Sequence, residues 1–202
     1  MNRRRLLLAV LVAVGLMAGV APAAGAQSIW GNGSPVSGSA SNQTVFRVGS
    51  AMTVRCTVVV NAGGVVGPVM SAPFNVQYTN CVATVGGVSF AATVTGGNPS
   101  IWDVNGASFN PTTGVWSGST VTRTSPLTIT VAGTPCVVQI PAGTVLAANG
   151  TNSGTPSGWT GTSMNMSSTT VPFTASGCPG LPPTGTNGTV IIIIIVVNWW
   201  DP

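Results

Sequence analysis

The chain lacks histidine, lysine and glutamate, and its only acidic residues are Asp103 and Asp201. The missing side chains carry most of the proton transfer, nucleophile activation and metal binding in enzymes. Serine and threonine are abundant, but no histidine or lysine can accept a proton from their hydroxyl groups. A pair of catalytic aspartates would need the C-terminal tail to fold onto the loop around Trp102. We therefore predict a protein that is not an enzyme, with no catalytic residues, metal ion or cofactor.

Positive charge is also scarce, and half of it lies near the N-terminus. Arginine is the only basic residue type, and three of the six arginines occupy positions 3–5. The others, Arg47, Arg55 and Arg123, stand against two aspartates, which leaves a net charge of about +1 once residues 3–5 are set aside. Binding to nucleic acid needs clustered cations that displace counterions from phosphates. We predict no nucleic-acid partner.

Residues 1–26 have the three parts of a secretory signal peptide. The basic residues 3–5 precede an apolar run from Leu6 to Val20, and Ala24-Gly25-Ala26 supplies the small residues that signal peptidase accepts. The apolar run is shorter than the ~20 residues that span a bilayer, which disfavours the alternative of an N-terminal membrane anchor. We predict cleavage before Gln27 and a secreted, extracellular protein with no membrane span in residues 27–202.

The four cysteines Cys56, Cys81, Cys136 and Cys178 are expected to form two disulfides in an oxidising compartment. Metal binding is disfavoured, because the chain has neither C-x-x-C spacing nor histidine. A faint repeat bears on the pairing, since Cys-Thr-Val-Val-Val-Asn-Ala-Gly begins at Cys56 and Cys-Val-Val-Gln-Ile-Pro-Ala-Gly begins at Cys136. If the repeat marks two related β units, the pairs are Cys56–Cys81 and Cys136–Cys178. Coincidence in a Val-, Thr- and Gly-rich chain is the alternative.

Strand signals dominate the chain, and no segment after the leader has a helical period. Leu127-Thr128-Ile129-Thr130-Val131, for example, alternates apolar and polar residues, as expected of a strand with one buried face. Thr95–Thr120 is interpreted as loops and a hairpin, and Asn149–Gly161 as a low-complexity loop. The fold class predicted is all-β: one antiparallel β-sandwich, or a partly open barrel, over residues 27–180. The strands predicted are Thr44–Val48, Met52–Val60, Phe74–Thr79, Val88–Thr95, Thr120–Thr124, Leu127–Val131, Cys136–Ile140 and Ser168–Ala175.

Residues 181–202 are predicted to be a C-terminal extension with three competing interpretations. Leu181, Pro182, Pro183, Thr184 and Gly185 match the L-P-x-T-G signal that sortases cleave between Thr and Gly, and the apolar run Val190–Val197 follows. That run has only eight residues and no basic tail after it, which is short for the membrane segment of such a signal. A final strand paired into the sheet is the preferred interpretation, because an unpaired strand of this kind would aggregate. A frame error in the gene is a further alternative for the isoleucine run.

Aromatic residues on the predicted loops suggest a candidate ligand platform. Trp102, Trp116 and Trp159 would stack on sugar rings if they lay together on one face. The competing interpretation is that these rings plug the ends of the fold, as large aromatics usually do.

Asp103-Val104-Asn105-Gly106 resembles part of a calcium loop, but the chain has no glutamate to close one, so we interpret it as an Asx turn.

The leader, the apolar strand at Cys56, the Phe74-x6-Cys81 strand and the second cysteine pair resemble a broad group of secreted bacterial β proteins. The group occurs in Actinobacteria, and some members are labelled "protein activator of alkane oxidation". The resemblance spans residues 44–178 and implies an exported, non-catalytic surface or biofilm protein, without indicating functional residues.

We predict a secreted structural or surface protein that acts by adhesion, envelope assembly or biofilm-type interaction. Its expected partner is a cell-surface polymer or a second copy of itself. The alternatives are a carbohydrate-binding module that uses the loop tryptophans and a sortase-anchored cell-wall protein.

Overall fold

The computed structural model describes residues 36–62, 71–104, 107–110, 112–155 and 158–197. The predicted signal peptide lies outside these residues. The described chain forms twelve β-strands, all paired antiparallel, and carries two disulfides, which confirms the all-β, antiparallel prediction. The strands are β1 (Val36–Val48), β2 (Met52–Ala62), β3 (Ser71–Val85), β4 (Val88–Gly96), β5 (Ser100–Asp103), β6 (Ser108–Asn110), β7 (Val115–Arg123), β8 (Leu127–Val131), β9 (Val137–Ile140), β10 (Val145–Thr155), β11 (Gly158–Ser176) and β12 (Thr184–Val197).

The sheet closes on itself as an eight-stranded barrel rather than dividing into the two layers of a sandwich. Five of its wall positions are continuous strands, and three are made of two shorter strands in tandem. The order around the barrel begins with the single strands β1, β2 and β3. Three tandem pairs follow, which are β4 with β5, β7 with β8, and β9 with β10. The single strands β11 and β12 complete the order, and β12 pairs with β1. The short β6 is an addition that pairs with β7. Of the two predicted architectures the structure is nearer to the barrel than to the sandwich, but the barrel is closed rather than partly open, because each long wall strand has a partner on both sides.

The barrel interior is mainly apolar and is lined by large side chains. The strand that the sequence predicted most clearly, β8, has Leu127, Ile129 and Val131 buried, while Thr128 and Thr130 are more exposed. A similar alternation runs along much of β2 and β3, because successive side chains of a strand point to opposite faces. The largest fully buried side chains are Trp102, Trp116, Phe46, Phe74, Met52, Leu127, Ile129, Ile140, Met164, Met166 and Ile192.

Two segments contain strands where loops were expected, although the hairpin expected within Thr95–Thr120 is present as β6 paired with β7. Most of Asn149–Gly161 belongs to the β10–β11 hairpin, in which Asn149 pairs with Asn165 and Thr155 with Gly158. Much of Thr95–Thr120 forms β5, β6 and most of β7. The prediction failed there because Gly, Ser, Thr and Asn predict loops by composition, whereas ladder hydrogen bonds on both sides of β10 hold these residues extended.

In each of the three tandem wall positions, one strand ends and the next begins at the same level of the barrel. We call this level the waist. At the waist β4 gives way to β5 through residues 97–99, β7 to β8 through residues 124–126, and β9 to β10 through residues 141–144. Ser125 Oγ donates a hydrogen bond to the carbonyl oxygen of Asn98 at 2.9 Å, so two of these changeovers are bonded to each other.

Strand β12 forms part of the barrel wall, which confirms the preferred interpretation of Val190–Val197. It lies between β1 and β11 and pairs with both. Val190 and Ile192 are buried inside, while Ile191 and Ile193 face outward and are 42% and 48% exposed. The Ile193 N–H donates to Gln43 Oε1 at 2.7 Å, next to an irregularity in the β1–β12 register. The predicted C-terminal extension therefore supplies a wall strand over Thr184–Val197.

Candidate functional site

Two tryptophans of the predicted ligand platform lie inside the barrel. Trp102 is 1% and Trp116 is 0% exposed, and their ring centroids are 6.0 Å apart. Trp102 Nε1 donates to Ser119 Oγ at 3.2 Å, and that hydroxyl donates to the carbonyl oxygen of Ala148 at 3.0 Å. The prediction that Trp102 and Trp116 form an exposed stacking surface is therefore wrong. Both rings occupy inward positions of β5 and β7 and pack in the core. The side chain of Trp159, the third platform residue, lies outside the described residues.

The two disulfides have the pairing that the internal repeat favoured. Cys56–Cys81 joins β2 to β3 with a Cα–Cα distance of 4.1 Å, and Cys136–Cys178 joins the residues flanking β9 and β11 at 4.3 Å. Each bond therefore crosses between neighbouring wall strands. Two disulfides indicate an oxidising compartment.

The L-P-x-T-G match is integrated into the barrel. Leu181 packs against the hydrophobic core, and the carbonyl oxygen of Pro183 accepts a hydrogen bond from Ala175 N–H at 2.8 Å. Thr184 and Gly185 begin β12 and pair with Thr174 and Phe173. The peptide bond between Thr184 and Gly185 therefore lies within a wall strand.

On the outer face of the barrel, β1, β2 and β3 are all irregular at one level. The β1–β2 register shifts between Ala40 and Gln43, and the β2–β3 register shifts between Arg55 and Thr57. At these two shifts Asn42 and Asn80 have positive φ values of 57° and 51°. Asparagine tolerates this left-handed conformation better than most residues, and bulges of this kind often re-aim side chains near functional sites.

Between the two bulges lies a depression of about 340 Å³ on the outer wall, which we call the Arg55 depression. Arg55 is exposed, and its Nη1 donates to Asn42 Oδ1 at 3.4 Å. The remaining guanidinium N–H groups belong to a fork that matches a carboxylate or sulfate. No acidic side chain is among the residues that line the depression, which are Asn42, Arg55, Cys56, Thr57, Asn80, Val82 and Thr84.

Sequence reasoning assigned no site to the Arg55 depression. Three residues of separate segments, Asn42, Arg55 and Asn80, come together only because β1, β2 and β3 are neighbours in the wall. The sequence does contain a signal, since Asn42 and Asn80 lie just outside the predicted strands Thr44–Val48 and Phe74–Thr79. After glycine, asparagine is the residue that most readily adopts the left-handed conformation.

A second depression lies on the outer side of the β6–β7 hairpin. It has a volume of about 670 Å³ and is shaped by Asn110, whose Oδ1 accepts hydrogen bonds from the N–H groups of Thr112 and Thr113 at 2.9 and 3.2 Å. It is lined by Ser108, Phe109, Asn110, Thr113, Val115 and Ser117, and these residues carry no charge. The Arg55 depression is therefore the better candidate for recognising a charged group.

Within the described residues there is no group of three or more His, Cys, Asp or Glu side chains that could hold a metal ion. None of the described segments forms a helix that is long and apolar enough to cross a membrane.

No family model matches the sequence, and no curated protein and no solved structure matches it. The resemblance to the secreted bacterial proteins therefore stays a prediction.

Proposed function

We propose that the protein is a secreted, non-enzymatic surface protein that binds acidic polysaccharides of the extracellular matrix or envelope through the Arg55 depression. One observation carries this proposal. Arg55 is held by Asn42 at the rim of a concave outer surface that contains no acidic side chain. The carboxylate or sulfate of an acidic sugar is the group that such a guanidinium fork binds best.

The residues around Arg55 suit a sugar rather than a free anion. Thr57, Thr84 and Asn80 line the depression and provide hydroxyl and amide groups that can exchange hydrogen bonds with sugar hydroxyls. Val82, which is 46% exposed, offers an apolar surface beside them. This set replaces the ring-stacking arrangement of the tryptophan hypothesis, for which Trp102 and Trp116 are buried.

The strength of one such contact favours a polymer as the partner. An exposed ion pair contributes only about 0.2–1 kcal/mol, which is too little to retain a free monosaccharide. A polymer repeats the acidic group many times, so a protein released from one group meets further acidic groups at high local concentration. Secretion is supported by the two disulfides, which favour an oxidising compartment.

Affinity electrophoresis in gels containing polygalacturonate, with dextran as the neutral polymer, tests the proposal. We expect polygalacturonate but not dextran to retard the protein, and we expect the retardation to fall as salt rises. Arg55→Gln should abolish it. Arg47→Gln is the matched control, because Arg47 is also an exposed arginine, bonds to the carbonyl oxygen of Gly49 at 2.9 Å and lies outside the depression. Equal retardation of the two variants, or none for the unmodified protein, would refute the proposal.

A further inference from the structure

Arg123 is a cation inside the apolar barrel. It ends β7 at an inward position, in phase with Val121, and only 2% of its surface is exposed. Its Nη1 and Nη2 are buried, and neither has a hydrogen-bond partner among the described residues. A guanidinium stays charged in proteins, and burial of a charge without a counter-charge is strongly unfavourable.

The neighbours of Arg123 on both sides are polar and buried. Ser100 on β5 is its partner in the strand register, and the Arg123 N–H donates to the carbonyl oxygen of Thr144 at 3.0 Å. Ser100 and Thr144 are 2% and 5% exposed. The three residues therefore form a polar row across three wall positions at the waist, in a barrel whose interior is otherwise mainly apolar.

The hydroxyl groups of this row are already engaged and carry no negative charge. Ser100 Oγ donates to the carbonyl oxygen of Gly97, and Thr144 Oγ1 donates to that of Pro141, each at 2.8 Å. Asp103 is the one acidic side chain among the described residues. It lies three residues from Ser100 on β5, and this odd spacing directs it to the opposite face of the strand. The row itself therefore does not neutralise Arg123.

The surroundings limit the size of anything bound beside Arg123. A Cβ atom on Gly97 would lie 3.1 Å from Leu127 Cδ1, which is a tight contact, and 4.0 Å from Arg123 Cδ, which is an ordinary one. The nearby inward residues Trp102 and Ile140 are also fully buried. The interior of an eight-stranded barrel holds side chains or one small ligand. An anion of one to three heavy atoms therefore requires less rearrangement of these side chains than a long-chain or cyclic anion.

We propose that Arg123 binds a small monovalent anion, of the size of chloride or formate, as an internal counterion of the barrel. The bound anion neutralises the guanidinium and accepts its Nη hydrogen bonds. Because the site exists only in the folded barrel, the anion stabilises the folded state by mass action. This site lies in the barrel interior and is separate from the Arg55 depression on the outer face.

The test is thermal unfolding of the full exported protein at constant ionic strength, with gluconate replaced stepwise by chloride or by formate. Gluconate is the larger anion, and we expect the buried surroundings of Arg123 to exclude it. We expect a saturable rise in the melting temperature of about 5–10 °C once the small anion is in 100-fold excess over its Kd. In Arg123→Met, which keeps the length of the stem without the charge, this rise should disappear. Arg47→Met, the control for an exposed arginine, should keep it.

Two results would overturn the proposal. One is an equal melting temperature in chloride, formate and gluconate, as expected if internal water alone solvates Arg123. The other is an anion-dependent rise that persists in Arg123→Met. If Arg123→Met does not fold, crystals of the unmodified protein grown in bromide decide the question. An anomalous peak within hydrogen-bonding distance of the Arg123 Nη atoms supports the site, and bromide found only at the protein surface refutes it.

Discussion

The side-chain amide of Asn98 hydrogen-bonds to both backbone groups of Val76. Asn98 Oδ1 accepts from the Val76 N–H at 2.8 Å, and Asn98 Nδ2 donates to the Val76 carbonyl oxygen at 2.6 Å. Val76 lies on β3 between the stretch that pairs with β5 and the stretch that pairs with β4. The amide therefore replaces a strand partner at the waist, where the ladder is interrupted.

Asn98→Ala should destabilise the barrel. The substitution leaves the N–H and carbonyl groups of Val76 without their partner in a largely buried position, which costs about 2–3 kcal/mol. Urea unfolding followed by circular dichroism measures the loss. Asn75→Ala on the same strand is the control and should change stability by less than about 0.5 kcal/mol, because Asn75 is exposed. Equal losses for the two variants would contradict the role assigned to Asn98.

Gly150→Ala should disturb the packing of Trp116. A Cβ at position 150 would lie 2.3 Å from the carbonyl oxygen of Ser163 and 2.5 Å from Trp116 Cζ2. We expect a loss of about 1–3 kcal/mol from overpacking, together with a change in the near-ultraviolet circular dichroism of the indole. Gly133→Ala separates steric clash from backbone strain, since Gly133 has a φ of +73° and open space around it. It should lower stability without changing the indole signal, and an indole change in both variants would argue against the packing explanation.

Removing either disulfide should lower stability substantially. The bonds close loops with sequence separations of 25 and 42 residues. The chain-entropy relation gives about 3.5 kcal/mol for Cys56–Cys81 and about 4 kcal/mol for Cys136–Cys178. Paired Cys→Ala variants, one for each bond, compared by urea unfolding, measure both values. A loss below about 1 kcal/mol for either pair would show that the unfolded chain is already restricted without that bond.

The folded protein should resist sortase. Cleavage between Thr184 and Gly185 requires that segment to leave the wall, where it is paired with β11. We expect no cleavage of the native protein and cleavage after reduction and unfolding, as read by intact mass. A second copy of Leu-Pro-Pro-Thr-Gly appended after Pro202 serves as the positive control and should be cut in the native protein. Rapid native cleavage at Thr184 would show that β12 opens readily.

Deleting residues 190–202 should unfold the barrel rather than only suppress self-association. The deletion removes the part of β12 that separates β1 from β11, so two strand edges become exposed. Circular dichroism and light scattering should report lost structure and increased aggregation. Self-association through this strand is better tested by Ile191→Thr with Ile193→Thr, because both side chains face outward. A smaller species of this variant on gel filtration would support self-association through the outer face of β12, whereas an unchanged elution volume would count against it.

The strands in which large apolar residues alternate with polar ones could be predicted from the sequence. The strands whose inward residues are small or polar could not. Leu127–Val131 was recognised because its inward residues are large and aliphatic, whereas β10 hides Gly150 and Asn152 at inward positions among exposed polar residues. Closure depends on the accumulated twist and on pairing between β1 and β12, which no local pattern encodes.

The candidate sites were harder to predict than the strands. Arg55 acquires its surroundings from bulges on two neighbouring strands, and Arg123 occupies an interior position that a charged residue rarely takes. Trp102 and Trp116 were assigned to loops because their flanking residues are Gly, Asn and Pro, although each lies in a strand.

The hydrogen bond between Ile193 and Gln43 joins residues 150 positions apart. Every pairing of β1 with β12 spans a comparable length of chain. Contacts of such high sequence separation form slowly, since a long loop must be ordered before they contribute. In a polypeptide that is delivered N-terminus first, the barrel therefore stays incomplete until β12 has emerged. During that interval β1 has no strand partner along one side, and a chaperone would be most useful then.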